Sequence, residues 1–287
     1  MTVGSDHALT GERCRIPCVS ALVDGCDDSL CWQMTTPRVP STAWDWVCAQ
    51  TWPDWDAEIV TVVDVDEPGA AKGEPCEWEP AVRRVPHRST RLGEVRHIRA
   101  PGDARVVLGA VEADLLVLGP RGAGIAKKLH LGSVAEWLIN CPASPMVIAR
   151  DARKVDNVVV AVDGSSHSSK VVDRLRAFPW LSQSRVDVVA VETGDGIAAT
   201  GAEQATSTLE SACADVRMTI LRPYEWDLTI NVRGELMQYL YGRPCDLLAM
   251  GTHGLRGWER IRVGSTADYL THHVGTSVLL ARCPDAE

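Results

Sequence analysis

DLLAMGTHGLRGWERIRVGSTADYLTHHVGTSVLLAR occupies Asp246 to Arg282. An apolar run, a glycine-bounded basic loop, a Ser-Thr opening and a second apolar run follow one another. The same order occurs 132 residues earlier, in DLLVLGPRGAGIAKKLHLGSVAEWLINCPASPMVIAR from Asp114 to Arg150. The two align without a gap, and 11 of 37 positions are identical. Gly119, Gly122 and Gly132 fall in step with Gly251, Gly254 and Gly264, and Ser133 with Ser265. An internal repeat of this length points to two similar units in one chain.

The starts of the two units also correspond. VSALVDG (Val19 to Gly25) is similar to VVVAVDG (Val158 to Gly164), which pairs Asp24 with Asp163 and leaves seven extra residues in the first unit. The polar stretch DARKVDN, Asp151 to Asn157, is the natural boundary. The expected domains are therefore 1–152 and 153–287.

The second unit reads as strands alternating with helices. Expected strands are Asn157–Asp163, Arg185–Glu192, Arg217–Leu221, Cys245–Met250 and Ser277–Ala281. Expected helices are Ser165–Phe178, Gly201–Asp215, Thr229–Tyr241 and Ser265–His273. In the first unit Pro17–Val23, Glu58–Val65, Asp114–Leu118 and Pro145–Ala149 read as strands. Asp66 to Arg91, rich in Pro, Gly and charge, reads as a long loop in place of a helix. The fold class is α/β: two tandem, doubly wound, parallel five-stranded sheets flanked by helices, Rossmann-like. Ligands of such sheets bind beyond the carboxyl ends of the strands, at the switch in strand order. Asp163 and Gly251 both belong to that edge.

Composition narrows the function. A net charge of −9 over 287 residues argues against a general nucleic-acid or anionic-membrane binder. No run reaches about 18 apolar residues, and MTVGSDHALTGER lacks the apolar core of a signal peptide. The expected compartment is the cytoplasm, with reduced cysteines. Six of the ten Cys and six of the ten Trp lie in the first 80 residues, so that segment departs from the rest.

A glycine loop that opens a helix can cradle an anion, through exposed N–H groups and the helix dipole. His253, Arg256, Arg260 and Arg262 in one loop, and Arg121, Lys127 and Lys128 in the other, add positive charge. The structural alternative is a plain turn with Ser133 and Ser265 as helix N-caps, Ser133 and Glu136 forming a capping box. Paired with Asp24 and Asp163 at strand ends, the loops suit a ligand with donors at one end and phosphates at the other: a nucleotide. A Walker loop is excluded, because Ile125 stands where Lys is required after Gly119 and Gly124.

At these residues the chain resembles the universal stress proteins. Their ATP-binding members carry Gly-x2-Gly-x9-Gly-Ser/Thr after the fourth strand, matched by Gly119, Gly122, Gly132 and Ser133, and again by Gly251, Gly254, Gly264 and Ser265. The resemblance covers both units and implies a fold like that of the adenine nucleotide alpha hydrolases. It implies ATP or another adenine nucleotide as ligand, with Mg2+ as a companion ion. Asp163 and Gly164 would hold the adenosine end; Gly251, Gly254, Gly264, Ser265 and Thr266 would hold phosphates and ribose. Asp24, Gly119, Gly122, Gly132, Ser133 and Val134 take the same places in the first unit. It further implies a sensing or regulatory role in stress response through a protein partner, without catalytic residues. Family members dimerise through fifth strands, so Met146–Ala149 and Val278–Ala281 are candidates to pair within the chain, a homodimer being the other arrangement. The rival readings are a scaffold of the same fold that binds no nucleotide, and a slow ATPase.

Other signals have plainer readings. Cys14, Cys18, Cys26 and Cys31 lack the spacing of a standard zinc site. Gly194-x-Gly196-x-x-Ala199 follows a second strand, where a dinucleotide fingerprint does not belong. His272 and His273 point different ways on one helix and cannot share a metal ion. Trp44, Trp46, Trp52 and Trp55 are read as core or loop residues.

Overall fold

The computed structural model describes residues 14–19, 42–63, 81–84, 91–111, 113–120, 131–140, 144–223, 231–252 and 263–281. In chain order the elements are β1 (Cys14–Val19), α1 (Thr42–Ala49), β2 (Trp55–Val63), β3 (Ala81–Arg84), β4 (Val95–Pro101), α2 (Ala104–Gly109), β5 (Leu116–Leu118), α3 (Ser133–Asn140) and β6 (Met146–Ile148). Then come β7 (Asn157–Val162), α4 (Ser166–Arg176), a 3-10 turn (Pro179–Gln183), β8 (Arg185–Val191), α5 (Ile197–Glu210), β9 (Asp215–Leu221), α6 (Val232–Leu240), β10 (Leu247–Gly251), α7 (Ser265–His273) and β11 (Ser277–Ala281).

The eleven strands among the described residues join one sheet in the order β3-β4-β2-β1-β5-β6-β11-β10-β7-β8-β9. From β7 to β11 the strands are all parallel, and the order reverses between β7 and β10. Strands β1, β2, β4, β5 and β6 repeat that arrangement. The two arrays meet where β6 and β11 pair antiparallel, Val147 opposite Leu279. β3 lies within the stretch 66–91 that reads as loop, and adds an antiparallel edge strand to β4, Val82 opposite Ile98. With only four residues and an arginine pair, its sequence carries too short an alternation to register as a strand.

The sheet is covered on both faces, which is why its strands are continuously apolar. Val158, Val160, Leu247, Ala249 and Leu279 point to one face, where α1, α4 and α5 pack. Val159, Leu248, Met250, Val278 and Leu280 point to the other, under α2, α3, α6 and α7. Helix α4 shows how local sequence sets an element. Ser165 caps it by accepting from Ser168 N–H at 3.2 Å, Val171, Val172 and Leu175 form its buried stripe, and Arg174 and Arg176 close its last turn against the dipole.

The first face is a single core across both halves. Trp46, Trp52 and Trp55 pack against Phe178 and Trp180, with ring centroids 5.2 to 6.2 Å apart. The boundary stretch 151–157 is held by the buried Gln50, which accepts from Val155 N–H at 3.0 Å and donates to the Arg153 carbonyl at 3.0 Å. No helix among the described residues is long and apolar enough to cross a membrane.

Candidate functional site

The reversal of strand order puts the carboxyl ends of β7 and β10 side by side, with Met250 opposite Ala161. Asp163 follows the last residue of β7, and Gly251 is the last residue of β10. Asp163 Oδ1 accepts from Ser165 N–H at 3.0 Å, which fixes the carboxylate at the mouth of α4. Gly164 has φ +79°, and a Cβ on it would lie 2.7 Å from the Ile197 carbonyl oxygen. A Cβ on Gly251 would meet His167 and the Ser168 nitrogen at 2.7 to 2.8 Å. Both glycines therefore let neighbouring backbone approach closely. Ser165 and His167 belong to this rim too; in the sequence Ser165 reads only as a helix start, and His167 carries no signal of its own.

The loop after β10 closes through its main chain. Gly264 N–H donates to the Thr252 carbonyl at 2.6 Å, while Asp268 N–H donates to the Gly264 carbonyl at 2.9 Å. The first half does the same at the corresponding residues: Gly132 N–H to the Pro120 carbonyl at 2.8 Å, and Glu136 N–H to the Gly132 carbonyl at 2.9 Å. Gly119 follows β5 as the residue corresponding to Gly251.

Gly264, not Ser265, caps α7, and no side-chain hydrogen bond forms there. Ser265 and Thr266 are the first two helical residues, as Ser133 and Val134 are in α3. The capping box is also absent, because Glu136 reaches His272 instead, its Oε2 2.8 Å from Nε2. A helix start without a side-chain cap leaves its first N–H groups for another acceptor. Asp163, Gly164, Gly251, Gly264, Ser265 and Thr266 thus share one edge of the sheet. Gly254, Gly122, Asp24 and the basic residues of both loops lie outside the described residues.

The structure also resets the correspondence between the halves. Asp246 Oδ2 accepts from Asn157 N–H at 2.8 Å across 89 residues, and Asp114 Oδ2 accepts from Arg15 N–H at 3.0 Å across 99. Arg15 therefore matches Asn157, and the first half carries ten extra residues (99 − 89), not seven. Strand pairing agrees: Val19 stands opposite Leu118 as Ala161 stands opposite Met250. Asp163 lies six residues beyond Asn157, whereas Asp24 lies nine beyond Arg15. The shared letters Val-Asp-Gly had suggested the wrong spacing, because apolar β-branched runs align about equally well in several registers.

Three thiols, Cys14, Cys48 and Cys245, are held in their protonated form and are poor nucleophiles. Burial, and then the charge of Asp114, push the Cys14 thiol up. Burial pushes Cys245 up to about 12 and Cys48 to about 11. Cys26 and Cys31 lie outside the described residues.

Residues 229–282 match the model of the universal stress protein family. That span holds α6, β10, the loop, α7 and β11. The chain is also 28% identical over 204 residues to a universal stress protein of Mycolicibacterium smegmatis (strain ATCC 700084 / mc(2)155), covering 64% of this chain and 67% of that one. Among solved structures it is similar to a universal stress protein from Archaeoglobus fulgidus DSM 4304, with a TM-score of 0.58, 15% identity and coverage of 93% and 98%. It is likewise similar to PA1789 of Pseudomonas aeruginosa PAO1, described as functionally unknown, with a TM-score of 0.51, 12% identity and coverage of 96% and 94%. These structural likenesses show a shared α/β fold over almost the whole chain.

Proposed function

We propose that the chain is a universal stress protein with two tandem units that binds an adenine nucleotide, ATP in the first place, at the carboxyl edge of β7 and β10. The observation that carries this reading is the start of α7. Gly264 N–H ties the helix start to the Thr252 carbonyl, yet among the described residues no side chain caps the helix. Ser265 and Thr266 therefore offer backbone N–H groups and hydroxyls to phosphate, with the helix dipole behind them. Asp163, fixed by Ser165, supplies a carboxylate for the hydroxyls or amino group at the adenosine end. The reading also assigns Gly254 to the phosphates.

The role is sensing or regulatory rather than catalytic. Phosphate held by main-chain donors needs no general base, and a nucleotide that binds one conformation better shifts the population towards it. A regulatory protein partner and a cytoplasmic setting belong to this reading. The second-half site is the competent one, because Asp24 does not share the spacing that places Asp163.

The test is to denature the purified chain and chromatograph what it releases, before and after ATP is added back. About one adenine nucleotide per chain is expected. Two would restore the first-half site, through Gly119, Gly122, Gly132, Ser133 and Val134. None, even after ATP is supplied, would overturn the reading in favour of a scaffold of this fold.

A further inference from the structure

At the seam between the halves, α3 and α7 pack on the same face of the sheet that carries the β6–β11 pairing, and they meet through Glu136 and His272. The repeat places Glu136 and Asp268 at corresponding positions, 132 residues apart, and the antiparallel seam brings the two carboxylates towards each other. His272, one turn after Asp268, sits with them. One ligand atom from each of the three residues lies within 4.8 Å of the others. In the first half Asn140 stands where His272 stands in the second, and both side chains fold back on the carbonyl four residues earlier, at 2.8 Å.

That back-bond decides the chemistry of the ring. The Asp268 carbonyl only accepts, so the Nδ1 beside it carries a hydrogen. Nε2 then faces Glu136 Oε2 at 2.8 Å. A lone pair and a carboxylate at that separation need a cation, a proton or a metal ion. Histidine ligands of metal ions are held in this way, one ring nitrogen donating to a backbone carbonyl while the other points at the ion. Two ligands about 2.1 Å from a tetrahedral ion stand about 3.4 Å from each other, so the half-exposed Glu136 side chain has to draw back from its 2.8 Å contact to admit one. Asp268 Oδ1 stands 3.5 Å from Nδ1, the other ring nitrogen; at 50% exposed it is free to turn towards Nε2, as is Glu136 at 46%, while His272 is 23% exposed.

We propose that Glu136, Asp268 and His272 form a binding site for one divalent transition-metal ion, of the Zn2+ type, that bridges the two halves of the chain. One imidazole and two carboxylates suit such an ion better than Ca2+, which takes six to eight oxygens. Water fills the remaining positions. His273 takes no part: its Nδ1 faces the Tyr269 carbonyl at 2.7 Å and its ring stacks on Tyr269. Burial lowers the His272 pKa, but the Asp268 carbonyl, Glu136 and the Asp268 charge outweigh it and raise it on balance. A proton therefore competes with the ion, and metal affinity falls as pH falls.

The experiment titrates the full, metal-stripped chain with Zn2+ by calorimetry, and with Co2+ by visible absorption. A site of one ion per chain is expected, weakened at least about tenfold by His272→Ala and by Glu136→Gln and unchanged by His273→Ala. Circular dichroism verifies that each variant folds; if His272→Ala does not, Asp268→Asn carries the same comparison. No uptake, or uptake indifferent to these substitutions because other residues hold the ion, overturns the proposal. A pH-dependent Glu136–His272 pair with no response to metal does so as well.

Discussion

Gly164 has φ +79° and Gly242 has φ +76°. Their surroundings differ. A Cβ on Gly242 would meet nothing within 4 Å, whereas one on Gly164 would strike Ile197 backbone at 2.7 Å. Gly201, one turn further along the same helix α5, meets Gly164 as well, its own Cβ position 2.5 Å from the Gly164 Cα. Gly242→Ala should therefore cost only the left-handed strain, about 1 kcal/mol. Gly164→Ala should cost at least about 2 kcal/mol, because α5 must also move. Urea midpoints of the two variants test this, and equal losses would show that no close approach exists. The sequence made Gly164 legible as a companion of Asp163. It could not reveal Gly201, whose partner is distant in the chain and whose place in a helix looks merely unfavourable.

Helix α7 and strand β11 were legible to the residue, because Gly-Ser-Thr opens one and Gly-Thr separates it from a continuous apolar run. Helix α5 was less so. It begins at Ile197, not Gly201, since small Ala, Ser and Thr residues give little periodic contrast. Helix α1, eight residues long with tryptophans at alternate positions, gave no helical signal at all. For α7 the element-level question is whether Gly264 serves the backbone or a ligand. Its φ of −60° and ψ of 145° suit any residue. Gly264→Val should therefore leave the melting temperature within a few degrees of the parent, and weaken nucleotide binding at least about tenfold by crowding the phosphates. If binding by equilibrium dialysis is unchanged in the folded variant, the loop is a turn and nothing more.

At the scale of the molecule, the repeat points to two units but not to how they fuse; only the family resemblance named Met146–Ala149 and Val278–Ala281 as candidates to pair. The antiparallel seam of β6 and β11 is a non-local pairing of two apolar runs, and nothing in either run names its partner. The tryptophan segment was harder still, because its packing partners, Phe178 and Trp180, belong to the other half. Trp52 is the hub of that cluster. It is fully buried, contacts Trp46, Trp55, Phe178 and Trp180, and donates its indole N–H to the Val47 carbonyl at 2.9 Å. Truncation to Ala should cost about 3–5 kcal/mol, the range for a buried aromatic. Because the core crosses the seam, the loss should not stay in the first half. Urea unfolding followed by far-ultraviolet circular dichroism and by tryptophan fluorescence should give one coincident transition in the parent chain, and one shifted to lower urea in Trp52→Ala. A variant in which residues 153–281 keep the parent midpoint while the first half unfolds early would show two independent cores. The rings of Trp52 and Phe178, 5.8 Å apart, would then contribute nothing to holding the halves together.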